Sequence, residues 1–231
     1  MTNIEQLLTD NEGLLKGHFC LTSGLHSDTY FQCAKLYENP QVVEKLGQEL
    51  AKKLADIEFD TIVSPAIGAI IMGYETAKQC GKRNLFVERK DGILQLRRNY
   101  ELKKGEKVII LEDVITTART INETKEALKE FEPQIIGVAC IVDRTCGKTD
   151  YNITSLLKVN PVTHEPENCP LCAEGIKLIK PGSRNTAVGV KPLHGGDEPA
   201  KKGELNVGDV RVCETNSTGA NTDKQMEVKN A

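Results

Sequence analysis

Apolar residues recur at helical spacing in two N-terminal stretches, residues 3 to 16 (Ile4, Leu7, Leu8) and 41 to 57 (Val42, Val43, Leu46, Leu50, Leu54). The pattern predicts two amphipathic helices around a short β region rich in turns and aromatics. From Thr61 onward it changes to short apolar runs separated by helical stretches: Thr61-Ile-Val, a helix from Ala69 to Gln79, Leu85-Phe-Val, Val108-Ile-Ile-Leu, a helix from Ile121 to Phe131, then Ile135 to Val142. Strand and helix alternating in this way predict an α/β fold, a central parallel sheet flanked by helices. Lys90 to Lys104 breaks the alternation with Asp91-Gly92, Ile93-Leu-Gln-Leu-Arg-Arg and a closing Lys-Lys-Gly, and reads as a mobile excursion. Residues 185 to 231 contain no Phe, Tyr or Trp and read as a disordered tail, with a weak apolar alternation from Leu205 to Val212.

Composition narrows the class. In 231 residues, 30 Lys+Arg face 33 Asp+Glu, so no basic surplus points to nucleic acid as a partner. No apolar run is long enough for a membrane helix. The first ten residues lack the basic and apolar regions of a signal peptide, which predicts a cytoplasmic protein whose eight cysteines are thiols or ligands, not disulfides. Cys169-Pro-Leu-Cys172 is half of a zinc knuckle. Its second half is missing, since Cys140 and Cys146 are spaced too widely, so the pair reads either as thiols in a turn or as half of a four-cysteine site shared across a dimer. Gly147-Lys-Thr149 lacks the preceding glycine that a P-loop requires.

The chemistry concentrates in Val108-Ile-Ile-Leu-Glu-Asp-Val-Ile-Thr-Thr-Ala-Arg-Thr120. A buried-strand pattern ends in Glu112 and Asp113, which at the carboxyl end of a parallel strand face the ligand crevice and can accept hydrogen bonds from vicinal ribose hydroxyls. The turn that follows brings backbone N–H groups and the hydroxyls of Thr116, Thr117 and Thr120 to a helix N-terminus, which favours a phosphate dianion. Strand-ending acids and capping threonines are common singly. The whole arrangement resembles the phosphoribosyl pyrophosphate (PRPP) motif of type I phosphoribosyltransferases.

Gly17-His-Phe-Cys-Leu-Thr-Ser-Gly-Leu-His-Ser-Asp-Thr-Tyr-Phe-Gln32, Phe86-Val-Glu-Arg, Leu96-Arg-Arg, Val142-Asp-Arg144 and Cys169-Pro-Leu-Cys-Ala-Glu-Gly175 leading to Pro181-Gly-Ser-Arg are similar to the Thermus-type branch of the orotate phosphoribosyltransferases. The resemblance covers residues 1 to 184. It implies a phosphoribosyltransferase domain with a core at about 41–159, a small hood built mainly from 1–40 and about 160–184, and a flexible lid loop. It further implies transfer of ribose 5-phosphate from PRPP to orotate, Mg²⁺ held mainly through PRPP, and a homodimer.

By the same resemblance, Glu112, Asp113, Arg89 and Lys90 are the catalytic candidates, with Arg97 and Arg98 on the same lid. PRPP would be bound by Glu112, Asp113, Thr116, Thr117, Ala118, Arg119, Thr120, Ser64, Ala66 and Gly68, and orotate by Arg144, Thr116, Tyr30, Phe31 and Thr22. Tyr30 and Phe31 read equally as local core aromatics. Thr22 stands where many orotate enzymes carry a lysine, and Ala118 and Arg119 stand where the family usually has glycines. A positive φ at either would strain the loop, and Arg119 would either contact phosphate or block it. Two rival readings are a phosphoribosyltransferase for another base and a PRPP-sensing regulator.

Overall fold

In the structure, a computed structural model, residues 2–181 are described. The tail expected over 185–231 lies outside them. The elements run α1 (Ile4–Asp10), β1 (Leu14–Cys20), β2 (His26–Phe31), α2 (Cys33–Leu36), α3 (Pro40–Leu54), β3 (Thr61–Pro65), α4 (Ile70–Cys80), β4 (Arg83–Lys90), β5 (Ile93–Leu96), β6 (Lys107–Ile115), α5 (Arg119–Leu128), β7 (Gln134–Asp143), β8 (Ile153–Lys158), β9 (Thr163–His164) and α6 (Pro170–Ala173). None of these helices is long and apolar enough to cross a membrane.

Six strands form one sheet in the order β5-β4-β3-β6-β7-β8, parallel throughout except for the antiparallel edge strand β5. Among the parallel strands the chain starts at β3, steps outward to β4, then returns to the other side with β6. The order therefore reverses between β3 and β6, and in open α/β sheets the ligand crevice lies outside the carboxyl ends of the strands at such a point. Strand β6 is buried on both faces: Ile109 and Leu111 join one core with α3 and β8, while Val108 and Ile110 join the other with α5. This is why Val108 to Leu111 is a continuous apolar run and not an alternating one.

Helix α3 starts on Asn39, whose side chain accepts from the Gln41 N–H at 3.1 Å, with Pro40 in the first turn. It presents Val42, Val43, Leu46, Leu50 and Leu54 to the sheet, and fully burying a leucine such as Leu46 or Leu50 contributes roughly 2 kcal/mol. Helix α4 packs closely against β3 through Gly73, where a methyl group would sit 2.0 Å from Ser64 Oγ.

One expectation is corrected and another gains detail. The single helix predicted over residues 3 to 16 is a helix followed by a strand: it stops at Asn11, Glu12 takes a left-handed φ of 56°, and Leu14 and Leu15 pair with Phe31 and Tyr30. Leu14 thus enters the core from a strand, although its spacing from Leu7 mimics a helical face. The excursion after Lys90 begins as a regular hairpin, β4 to β5, with Lys90 paired to Ile93. Asp91 and Gly92 take φ of 52° and 83°, the paired positive values of a two-residue turn that continues the strand twist.

A second, three-stranded sheet is ordered β1-β2-β9. The segment after β9 is bound to the same hairpin, since Cys20 N–H donates to Ile179 O and Ile179 N–H to His18 O, both at 2.8 Å.

The α4 contact gives a sign test. Alanine normally gains about 1 kcal/mol over glycine inside a helix. Gly73→Ala is expected instead to destabilise the protein by about 1–3 kcal/mol, because Ser64 is wholly buried and the helix must shift. Urea unfolding of the two proteins measures it, and a gain in stability would contradict the close packing.

Candidate active site

The site lies where β3 and β6 end. Glu112 is buried and Asp113 half-buried; Asp113 N–H donates to Glu112 Oε1 at 3.1 Å, and Val114 N–H to Asp113 Oδ1 at 2.7 Å. Burial, then the neighbouring Asp113 charge, pushes the Glu112 carboxyl up to about 9. Burial also raises Asp113. Around the pair, Tyr37, Cys33 and Cys140 are raised by burial first and then by the charge of nearby acids. Two adjacent acids therefore face one another in a low-dielectric setting with no described ion pair to a cation. The arrangement suits hydroxyl donors or a developing positive charge.

From Thr116 the chain turns into α5. Thr116 and Thr117 are exposed, and Ala118, at φ 55° and ψ 14°, takes the left-handed conformation that glycine adopts more easily. Arg119 is already helical, so of the two non-glycine positions only Ala118 carries the backbone cost. No side chain caps α5, and its first N–H groups and positive dipole end open beside the exposed threonines. The Arg119 side chain lies along the helix, with Nε 2.9 Å from Glu123 Oε1, and Glu123 also pairs with Arg89. Arg119 therefore does not block the turn.

Opposite, the turn after β3 approaches the acids. A methyl group on Gly68 would lie 3.0 Å from Asp113 Oδ2, so the bare backbone of this turn passes directly beside the carboxylate. Ala66 N–H donates to Val87 O at 2.7 Å and the Ala66–Ile67 peptide is cis. The Ser64 side chain is wholly buried against Gly73, so what Ser64 can offer the turn is its backbone.

Arg144 follows the end of β7, its N–H donating to Ile115 O at 2.8 Å. Its guanidinium carbon lies 5.5 Å from the centre of the Phe31 ring, and its Nε is buried with no partner among the described residues. Burial lowers the pKa of Arg144. Tyr30 stands in the same field: burial and Asp113 raise its phenol while Arg144 opposes them. Phe31 is a core residue that also carries the Arg144 guanidinium over its ring. Tyr30 rests on Phe19, with ring centres 5.7 Å apart.

Other expected residues stand further off. Thr22 is exposed in the β1–β2 turn, at the opposite end of the hairpin from Tyr30 and Phe31. Five residues of strand separate those ends, roughly 16 Å of extended chain. Arg89 and Lys90 extend β4 past its pairing with β3, at the crevice end of the sheet; Arg89 is held by Glu123 and by Gly92 O, whereas Lys90 is exposed. Arg97 and Arg98 both pair with Glu88.

The profile of the phosphoribosyl transferase domain matches residues 32–170. An orotate phosphoribosyltransferase of Caldicellulosiruptor saccharolyticus is 46% identical over 181 residues, covering 78% of this chain and 95% of the relative. The chain belongs to the orotate phosphoribosyltransferase family. A family member from Caldanaerobacter subterraneus subsp. tengcongensis is 48% identical over 175 residues, 75% of this chain and 92% of that one. Among solved structures, the Aeropyrum pernix orotate phosphoribosyltransferase superposes with a TM-score of 0.56 at 20% identity, over 67% of this chain and 93% of that chain. An adenine phosphoribosyltransferase of Thermoanaerobacter pseudethanolicus gives 0.51 at 18%, over 56% and 88%. At those identities the superpositions speak for the fold alone. The sheet and the flanking helices are thus those of a phosphoribosyltransferase.

The ligand-free acid pair predicts a pH signature. Glu112 has an ordinary value of 4.5 and a folded value of about 9, so between them the folded chain holds a proton that the unfolded chain has released. Its contribution to stability is full below 4.5 and is lost as pH rises through about 9. The melting temperature, followed across that window without ligand, is expected to fall more steeply for the native protein than for Glu112→Gln. Equal slopes would contradict the shift.

Proposed function

We propose that the protein transfers the ribose 5-phosphate group of PRPP to N1 of orotate, forming orotidine 5′-monophosphate and pyrophosphate in pyrimidine nucleotide synthesis. The observation that carries this reading is Arg144, a buried guanidinium with an unpartnered Nε, held over an aromatic ring and sharing the field of Tyr30 with Asp113. A cation desolvated in this way calls for an anion or carbonyl oxygens in the plane of its fork. A planar, anionic, carbonyl-bearing base supplies both.

The rest of the crevice then divides the PRPP molecule. The open end of α5, with Thr116, Thr117 and Thr120, receives the 5-phosphate on backbone N–H groups and hydroxyls. Glu112 and Asp113 accept the ribose hydroxyls and stabilise positive charge as the anomeric C–O bond breaks and the N–C bond forms. The bare backbone from Ala66 to Gly68 faces the pyrophosphate. Arg89 and Lys90, on the hairpin beside it, close over the leaving group and exclude water, which requires Arg89 to exchange Glu123 for phosphate oxygens.

Mg²⁺ fits this setting, because beside the phosphate-binding turns stand two carboxyls, hard oxygen donors whose burial favours the uncharged form until positive charge arrives. Glu112 and Asp113 would face it, with most of its ligands coming from PRPP, and when bound it neutralises phosphate charge on the leaving group. A homodimer and a cytoplasmic location complete the reading. The dimer is supported by Ile67, Ile71 and Tyr74, large apolar residues exposed at 85%, 47% and 61% on and beside α4.

The test is loss of orotate absorbance with PRPP and Mg²⁺, with adenine, hypoxanthine and uracil assayed in parallel. Orotate alone is expected to react. Asp113→Asn is expected to lower kcat about 10²–10³-fold. Arg144→Ala is expected to raise KM for orotate about 10–100-fold, with a much smaller effect on KM for PRPP. Turnover of a different base, or PRPP binding without turnover of any, would overturn the assignment.

A further inference from the structure

Away from the crevice, at the turn end of the β1–β2 hairpin, four side chains from three separate parts of the chain converge. His18 comes from β1, His26 opens β2, Cys169 precedes α6 and Cys172 lies within it. His18 Nε2 is 2.9 Å from His26 Nδ1, 3.5 Å from Cys169 Sγ and 3.6 Å from Cys172 Sγ; Cys172 Sγ is 3.3 Å from His26 Nδ1. All four ligand atoms lie within 4.8 Å of one another. His18, His26 and Cys169 are buried, and Cys172 forms the outer edge.

Hydrogen bonding alone does not account for this arrangement. His18 Nδ1 lies 2.8 Å from the carbonyl of Ile176, which can only accept, so Nδ1 carries the proton and Nε2 is left with one lone pair. Three polar atoms crowd that single lone pair. A cation at the centre would satisfy all four ligand atoms together. A tetrahedral zinc ion with bonds of about 2.0–2.1 Å to nitrogen and 2.3 Å to sulfur sets ligand–ligand edges of roughly 3.3 Å for N–N and 3.5 Å for N–S. The N–N distance of 2.9 Å and the N–S distances of 3.3, 3.5 and 3.6 Å lie within about 0.4 Å of those edges.

We infer that His18, His26, Cys169 and Cys172 form a structural zinc site that fastens the segment after β9 to the β1–β2 hairpin. Two thiolates and two imidazoles are the soft, tetrahedral set that selects zinc over Mg²⁺ or Ca²⁺. Four protein ligands leave no open position for a substrate, so the ion is structural and not catalytic. The Ile176 carbonyl is the outer partner that fixes the His18 tautomer and orients its ring. The second half of the knuckle is thus a histidine pair from the same chain, and no cysteine pair from another subunit is required.

The test uses the full chain, purified with reductant and without a polyhistidine tag, and elemental analysis for bound metal. The expected result is about one zinc per chain, lost in His26→Ala and in Cys169→Ser and retained in Cys80→Ser. Removing the metal with a chelator is expected to lower the melting temperature, and adding zinc to restore it. Should the ligand variants fail to fold, cobalt(II) titration of the metal-free native chain decides the matter: tetrahedral d–d bands together with a thiolate-to-cobalt charge-transfer band are expected. A native chain that takes up neither zinc nor cobalt, full zinc in both ligand variants, or cobalt binding without the charge-transfer band would each overturn the site.

Discussion

The site depends on β6 having no solvent face. Its aliphatic residues alternate between two cores, Val108 and Ile110 on one side and Ile109 and Leu111 on the other, so the strand's position in the sheet is determined from both directions. Its polar extension, Glu112 and Asp113, has only the carboxyl end of the sheet to occupy. Burial there holds Glu112 near 9 in the absence of ligand. This unfavourable electrostatics is sustained by packing elsewhere in the strand, and it disappears when hydroxyls or positive charge arrive.

Three features of the ligand-free crevice are each incomplete in a different sense. Among the described residues, the acid pair has no ion pair to a cation, the buried Nε of Arg144 has no hydrogen-bond partner, and α5 opens without a side-chain cap. They do not cancel one another, because each sits at the end of a different strand or helix and β6 and β7 hold them apart. Separate deficits of opposite sign, rigidly spaced, suit a ligand carrying hydroxyls, phosphate and an anionic ring. Glycine at 68 lets one turn pass beside Asp113, and the left-handed alanine at 118 turns the chain from β6 into α5.

Much of this was legible from the sequence because β6 and its turn are contiguous: one stretch of thirteen residues holds the strand, the acids and the helix start. The parallel sheet was legible for a related reason, since strands without a solvent face leave unbroken aliphatic runs. The helix expected over residues 3 to 16 overran because Leu14, seven residues after Leu7, suits a helix as well as a chain that turns at Glu12 and returns as a strand, and local periodicity does not separate those paths. His18 and His26 gave no signal alone. Cys169 meets His18 across 151 residues, and the Cys-x-x-Cys spacing announced only half of the cluster. A hairpin flanked by two histidines is the feature that could have suggested the other half.

The small sheet explains why such a cluster would be retained. Strand β9 has two residues and pairs only at His26–His164 and Ser27–Thr163, too little to hold a segment of chain by ladder bonds alone. At its other end the hairpin is secured through Leu14 and Phe31 in the main core. At the turn end, the described anchors of the C-terminal segment are a few backbone hydrogen bonds and the four-residue cluster. A clamp there fixes the far end of the strands that carry Tyr30 and Phe31, so the aromatic surface under Arg144 is held from both ends. That surface can then be rigid although the sheet that forms it is too small to supply a core of its own.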